Sequence, residues 1–254
     1  RDAQESRGLG DVYKRQFVNN EMGAVVPVEE VGRIVHEKNP RTLYHVDAIQ
    51  AYGKYKIYPK KMGIDLLAVS GHKIHGPKGV GFLYINEKAK VQPFILGGGQ
   101  QKGMRSGTDN VPGIAGLGTA AKMIYQNLDE NVEHMRELKL YFAKELATLE
   151  QVEINGPKPE RGAPHILNVS FLGVRSEVLL HSLEDMGIYV SAGSACSSHK
   201  RAGSSSLGAL RLTPERKESA IRFSFCETTT KEEIDYTLEA LRKLLPMLRR
   251  YARK

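Results

Sequence analysis

The stretch Asp65-Leu66-Leu67-Ala68-Val69-Ser70-Gly71-His72-Lys73-Ile74-His75-Gly76-Pro77-Lys78-Gly79 joins a short apolar run to a polar, glycine-rich turn. A continuous apolar run of this length, closed by turn residues, suits a strand covered on both faces, so Asp65–Val69 reads as a buried strand. Thr42–Val46 and Val80–Ile85 read the same way. A helix over Val28–Lys38 precedes them, with Val28, Val31, Ile34 and Val35 as its apolar face and Asn39-Pro40 as its stop. Short β-rich runs alternating with helices predict an α/β fold. Ligands of such folds collect beyond the carboxyl ends of the strands, which singles out the residues just past each run.

Downstream of the glycine-rich break Gly97–Gly103 the pattern changes. Pro112–Leu149 reads as one long helical region, with a core-facing stripe of Leu128, Val132, Met135, Leu138, Phe142 and Leu146. A strand over His165–Phe171, a helix over Ser176–Met186 stopped by Gly187, and a strand over Ala220–Phe225 follow. A last helix starts at Thr230, where Thr-Lys-Glu-Glu spells a capping box with Glu233, and Pro246 is expected to kink or end it. This predicts a smaller α+β domain after the α/β one.

The 254 residues are 41% hydrophobic and 26% charged, and no apolar run approaches the ~20 residues of a membrane span. Two cysteines cannot build a disulfide framework, which points to the cytoplasm. A net charge of +8 permits acidic or phosphorylated partners but specifies no nucleic acid. Asp11-Val12-Tyr13-Lys14-Arg15-Gln16 is what a common transposon sequencing adapter encodes in one frame, so residues 1–16 are expected to be a foreign, disordered leader. The expected division is then 17–118 for an incomplete first domain and 119–254 for the second, with a mobile loop at about 191–208.

Lys73 and Asp47 each stand just past or at a strand end. A lysine there can serve as a Schiff-base nucleophile, and a carboxylate there can keep a pyridine nitrogen protonated. Ser70 and His72 offer a hydroxyl and an imidazole to a phosphate, and Gln50, three residues after Asp47, could reach the same ligand if a helical turn begins there. Singly, Asp47 also suits a helix cap and Lys73 a solvated surface. Gly98–Gly103 continues Met104-Arg105, which is not a phosphate-loop NTPase signature, and Cys196 and Cys226 lack the paired spacing of a zinc site. Cys196 lies among small and polar residues, Ser191-Ala192-Gly193-Ser194-Ala195-Cys196-Ser197-Ser198, where a thiol could reach a ligand and swing away. His199 and Lys200 beside it could favour the thiolate or do nothing.

Val18-Asn19-Asn20-Glu21-Met22-Gly23, His45-Val46-Asp47-Ala48-Ile49-Gln50, Ser70-Gly71-His72-Lys73, Gly76-Pro77-Lys78-Gly79-Val80-Gly81, Gly97-Gly98-Gly99-Gln100, Arg105-Ser106-Gly107-Thr108 and Ser191–Cys196 together resemble the cysteine desulfurases. These are class V, fold-type I pyridoxal-phosphate enzymes, and the resemblance runs from about Phe17 to the last helix. It implies the C-terminal part of a large cofactor-binding domain, with a mostly parallel but incomplete sheet, plus a small α+β domain. Lys73 would carry pyridoxal 5'-phosphate, Asp47 would pair with its ring nitrogen, Gln50 with its ring hydroxyl, and Ser70 and His72 with its phosphate. Thr108 would reach the phosphate of a second subunit in a homodimer.

The resemblance also implies that Asn20 and Arg222 hold the carboxylate of L-cysteine, Asn20 lying against the cofactor as well. Cys196 would take the sulfur as a persulfide for an iron–sulfur scaffold or a tRNA thiotransferase. Cys226 matches no functional position. The family's sequence has a long stretch before the match at Asn20, including a phosphate-binding Thr and a ring-stacking His with no counterpart here, so the chain as written is expected to be poorly soluble or inactive. A selenocysteine lyase, an aminotransferase, or a non-catalytic fragment acting as a binding module are the rival readings.

Overall fold

Tyr44 and Val46 are fully buried at alternate positions, and Leu66, Leu67 and Val69 are buried with them, which fixes two neighbouring strands as the centre of a sheet. The computed structural model describes residues 12–192 and 205–252. Within these, the chain divides into two compact units: the first runs to Val18 and from Val26 to Leu128, the second takes Asn19–Val25 and everything from Asp129. The division after Leu128 comes later in the chain than the expected 118/119, and the Asn19–Val25 turn groups with the second unit.

The first unit contains β1 (Val12–Gln16), α1 (Val28–Lys38), β2 (Leu43–Asp47), β3 (Leu66–Ser70), β4 (Gly81–Ile85) and α2 (Val111–Gln126). Its sheet has the order β1-β2-β3-β4, with β1, β2 and β3 parallel and β4 antiparallel to β3. The α/β expectation for this half is met. Residues 12–16, expected to be disordered, instead form β1, paired from Val12↔Leu43 to Gln16↔Asp47. Strand pairing uses backbone groups only, and four of the five β1 residues stay exposed, so the strand asks little of its side chains.

The face of α1 also differs from the expected one. Ile34 is 42% exposed, whereas Val28 and Gly32 are buried. A Cβ at Gly32 would lie 2.4 Å from the Met62 carbonyl oxygen, so the helix turns its bare position toward the loop that leads into β3. Asp65 secures that loop: its Oδ2 accepts from Tyr44 N at 2.9 Å and lies 3.3 Å from His36 Nε2.

The second unit contains α3 (Leu128–Leu146), β5 (Val152–Asn155), β6 (Ile166–Phe171), α4 (Ser176–Glu184), β7 (Ser191–Ala192), α5 (Ser205–Ala209), α6 (Pro214–Glu218), β8 (Ala220–Ser224) and α7 (Lys231–Ala252). The sheet order is β5-β6-β8-β7, antiparallel throughout, as an α+β domain requires. Every residue of β6 is buried. Met135, Phe142 and Leu146 of α3, Leu179 and Leu183 of α4, and Leu238, Leu241 and Leu245 of α7 pack into one core with Val169, Phe171, Ile221 and Phe223.

The single helix expected over Pro112–Leu149 is two helices. Asn127, at φ −122° and ψ 37°, leaves the helical region and separates α2 from α3. Pro246 does not end α7, which continues to Ala252. Proline removes one backbone donor there, but Leu241, Leu244 and Leu245 are held in the core just before it. The capping box is present: Thr230 N donates to Glu233 Oε2 at 2.9 Å and Glu233 N to Thr230 Oγ1 at 3.2 Å. Among the described residues no helix is long and apolar enough to cross a membrane.

Candidate active site

The two central parallel strands of the first unit end side by side, with Asp47 of β2 in register with Ala68 of β3. Ala48 N donates to Ala68 O at 3.0 Å, so the two strand ends stay tied where the chain leaves the sheet. Asp47 Oδ1 accepts from Ile49 N at 3.2 Å, an Asx turn that starts a single helical turn. Ala51 N and Tyr52 N both donate to Ala48 O, at 2.9 and 2.8 Å, and this places half-buried Gln50 one turn beyond Asp47.

Past β3 the chain enters a short 3-10 turn, Gly71–Ile74, closed by His75 in the left-handed region at φ 60°. Gly71 N donates to Val80 O at 2.9 Å and Gly76 N to Gly71 O at 3.0 Å. A Cβ at Gly71 would sit 3.1 Å from Leu117 Cδ1 and 3.1 Å from Val80 O, so glycine lets the turn pack this closely. Ile74, 2% exposed, is buried with Leu117 and Ile124 of α2. The buried underside leaves His72 and Lys73 facing outward, both exposed.

The electrostatics at the strand ends are set by one carboxylate and several cations. Asp47 Oδ2 lies 3.8 Å from Lys14 Nζ, with 16% of the Asp47 side chain exposed. Burial pushes the His45 imidazole below its ordinary pKa, and the Lys14 charge lowers it further while Asp47 opposes the shift. His45 therefore favours its neutral form, and among the described residues its buried Nε2 has no hydrogen-bond partner.

This donor set suits a phosphorylated, nitrogen-bearing ring cofactor. Asp47 has one oxygen engaged by backbone and the other turned toward a cation, while Ser70, His72 and Lys73 supply a hydroxyl, an imidazole and an amine on one adjacent turn. Asp47, Gln50, Ser70, His72 and Lys73 thus all belong to the strand ends of the first unit. Thr108 lines a cleft of about 750 Å³ with Val69, Gly81, Phe82, Gln101 and Arg105, and none of Asp47, Gln50, Ser70, His72 or Lys73 lines it.

In the second unit the structure brings Asn20 and Arg222 together. Arg222, on β8, donates from Nη1 to Asn20 O at 2.9 Å, and among the described residues its buried Nε has no hydrogen-bond partner. Burial pulls the Arg222 pKa down and the Glu21 charge raises it. Asn19 organises the turn, accepting from Glu21 N at 3.0 Å and Met22 N at 2.9 Å and donating to Ser206 Oγ at 3.2 Å.

A buried polar chain continues from this turn, and sequence reasoning missed it. Asn168 Nδ2 donates to Glu21 O at 3.3 Å, Asn155 Nδ2 donates to Asn168 Oδ1 at 2.8 Å, and Arg216 Nε donates to Asn155 Oδ1 at 2.7 Å. Arg216 also pairs with Glu153 and donates to Ile154 O at 2.7 Å. The available signal was polar residues, Asn168 and Ser170, inside the otherwise apolar run Ile166–Phe171.

Cys196, His199 and Lys200 lie outside the described residues. Cys226 is half-buried, with Sγ 3.2 Å from Thr228 Oγ1 and 3.5 Å from Thr229 Oγ1. Burial raises the thiol pKa, but those hydroxyls outweigh it and the net shift is downward.

The aminotransferase class-V family profile matches residues 11–237. A cysteine desulfurase IscS of Clostridium botulinum is 41% identical over 235 residues, covering 92% of this chain and 59% of the relative. The cysteine desulfurase IscS of Serratia proteamaculans is 42% identical over 234 residues, covering 91% of this chain and 57% of the relative. Among solved structures, a NifS-like protein superposes with a TM-score of 0.86 at 38% identity, covering 97% of this chain and 65% of the other. The apo cysteine desulfurase of Thermococcus onnurineus NA1 gives 0.80 at 26%, covering 94% and 60%. The chain spans about 59% of the length of the curated relatives it matches.

Proposed function

The chain belongs to the class-V aminotransferase family, and from that premise we propose that the whole protein is a pyridoxal-phosphate-dependent cysteine desulfurase. The observation that carries this reading is the gathering of Asp47, Ser70, His72 and Lys73 at the adjoining ends of β2 and β3. The relatives named cysteine desulfurase support the choice of substrate. When bound, pyridoxal phosphate supplies an electron sink for the substrate carbon skeleton.

The chain's own residues divide the remaining work. Lys73 Nζ would hold the cofactor and would serve as the base that moves the substrate α-proton. Asp47 would pair with the ring nitrogen, Gln50 would bind the ring hydroxyl, and Ser70 and His72 would hold the phosphate. Thr108 serves the phosphate site of a second copy in a homodimer. Asn20 and Arg222 receive the substrate carboxylate, a charge-assisted contact for the guanidinium.

Cys196 forms a sulfur–sulfur bond with the substrate as the substrate carbon–sulfur bond breaks. The electron pair stays with carbon, which takes a proton and leaves as alanine, and the persulfide remains on Cys196. A protein acceptor, an iron–sulfur scaffold or a tRNA thiotransferase in the cytoplasm, then takes the terminal sulfur.

The experiment is alanine release from L-cysteine by the whole gene product and by its Cys196→Ser variant. Loss of turnover with the cofactor absorbance retained is the expected result. Undiminished turnover in the variant would assign the protein to another class-V chemistry, such as an aminotransferase.

A further inference from the structure

Two asparagines stand side by side in the Asn19–Gly23 turn, and the structure uses them in opposite ways. Each backbone and side-chain polar atom of Asn19 is engaged. Its N donates to Ala24 O at 2.8 Å and its O accepts from Gly23 N at 3.0 Å. Its Oδ1 accepts from Glu21 N at 3.0 Å and from Met22 N at 2.9 Å, and its Nδ2 donates to Ser206 Oγ at 3.2 Å. Half-buried Asn20 contributes its carbonyl, which accepts from Arg222 Nη1 at 2.9 Å. Among the described residues the Asn20 side chain makes no hydrogen bond.

The arrangement encloses Asn20. The bond from Glu21 N to Asn19 Oδ1 closes an Asx turn with residue 20 at its centre, so the Asn19 amide restricts the two backbone angles that aim the Asn20 side chain. Arg222 meets the Asn20 carbonyl only while that turn keeps its shape. The far end is seated separately: a Cβ on Gly23, at φ +68°, would lie 3.1 Å from Ile166 Cβ, and Gly23 O accepts from Ala163 N at 2.8 Å. The near end is held by the Asn19 side chain and by Ser206, which stands next to buried Leu207 in α5. With Nδ2 taken by Ser206, Oδ1 is left facing the two turn amides, so the outer bond also fixes which way round the amide sits.

We infer that Asn19 is the positioning residue of the carboxylate receptor: it holds the turn in which the Asn20 carbonyl meets Arg222 while the Asn20 side chain stays available to the ligand. The inference deepens the reading of Asn20 and Arg222 as the groups that receive the substrate carboxylate, and rests on it. Asn19 needs no contact with substrate for this. The two halves of the receptor are 202 positions apart in the chain, and a receptor so assembled binds well when its geometry is set before the ligand arrives. Loosening the turn spreads Asn20 over several orientations, weakens carboxylate capture and leaves the cofactor groups of the first unit untouched.

The test uses the whole, cofactor-loaded protein and two readouts: amide hydrogen exchange at Glu21 and Met22, and steady-state kinetics with L-cysteine. Asn19→Ala is expected to speed exchange at both amides about tenfold and to raise KM about tenfold, with kcat within about twofold of wild type. Asn19→Ser keeps an acceptor for the turn amides and is expected to recover most of both effects. Ser206→Ala removes the outer bond alone and is expected to raise KM about threefold. Unchanged exchange in Asn19→Ala shows that the side chain does not hold the turn and overturns the inference. Faster exchange with KM unchanged also overturns it, assigning Asn19 to the fold alone, as does a fall in kcat at constant KM, which assigns it to the chemical step. If Asn19→Ala does not fold, an unchanged KM in Ser206→Ala overturns the inference in its place. Arg222→Lys with KM unchanged refutes instead the reading of Arg222 as carboxylate receptor.

Discussion

The two halves of the molecule present polar chemistry in opposite ways. In the first, His72 and Lys73 stand exposed on a turn whose fixing point is apolar, Ile74 with Leu117 and Ile124 beneath. In the second, Arg222 is anchored by the turn it touches, and that turn belongs to a buried run of polar partners through Asn168, Asn155 and Arg216. On the proposed roles, the group that would make bonds is supported from below and exposed at its tip, and the group that would orient the substrate is surrounded. Mutation should therefore separate chemistry from stability in the first half and merge them in the second.

Lys73→Ala gives the largest effect. It is expected to abolish turnover of the whole protein and to shift the melting temperature little because the lysine is exposed. Activity and thermal melting on the same sample check both halves of that statement, and a large loss of stability would break the contrast.

Asn155→Leu is the matching probe in the second half. It strips partners from Asn168, Ser170 and Arg216 at once, at a cost of about 2–4 kcal/mol in urea unfolding. A loss under about 0.5 kcal/mol would show that the buried polar run is not holding the turn.

A finer contrast comes from pH. Lys139 of α3 is 2% exposed, donates to Ala163 O at 2.8 Å, and is pushed down by burial to about 8 from 10.5. Between those values the unfolded chain binds more protons than the folded one, so this group makes stability rise with pH from about 8 to 10.5. Tyr44 in the first half is pushed up by burial to about 12 from 10.0, so its contribution falls as pH rises through that interval. Lys139→Met should remove the rise, and Tyr44→Phe the fall, in stability measured across the alkaline range.

Much of the first half was legible because its strands carry their own signal. Leu66–Ser70 and Leu43–Asp47 are short apolar runs stopped by turn residues, and the polar groups that follow them stand in sequence beside the strand ends they occupy. The Thr230 capping box was legible for the same reason, since both partners lie within one turn. What escaped depends on partners distant in sequence. β1 is paired by its backbone, and nothing in Val-Tyr-Lys-Arg-Gln announces a strand. The break at Asn127 interrupts a run of good helix formers by one residue's backbone angles. The Glu21–Asn168 bond joins residues 147 positions apart, and no local spacing records that.

The Ile74 anchor has a consequence for how such a turn can change over generations. Because the turn is secured by a side chain pointing into the protein, the two outward positions beside it answer to almost no folding constraint. Randomising residues 72 and 73 in a library should yield folded proteins nearly throughout, with the variety confined to what they catalyse. Randomising 74 should empty the same library of folded members before any chemistry is sampled.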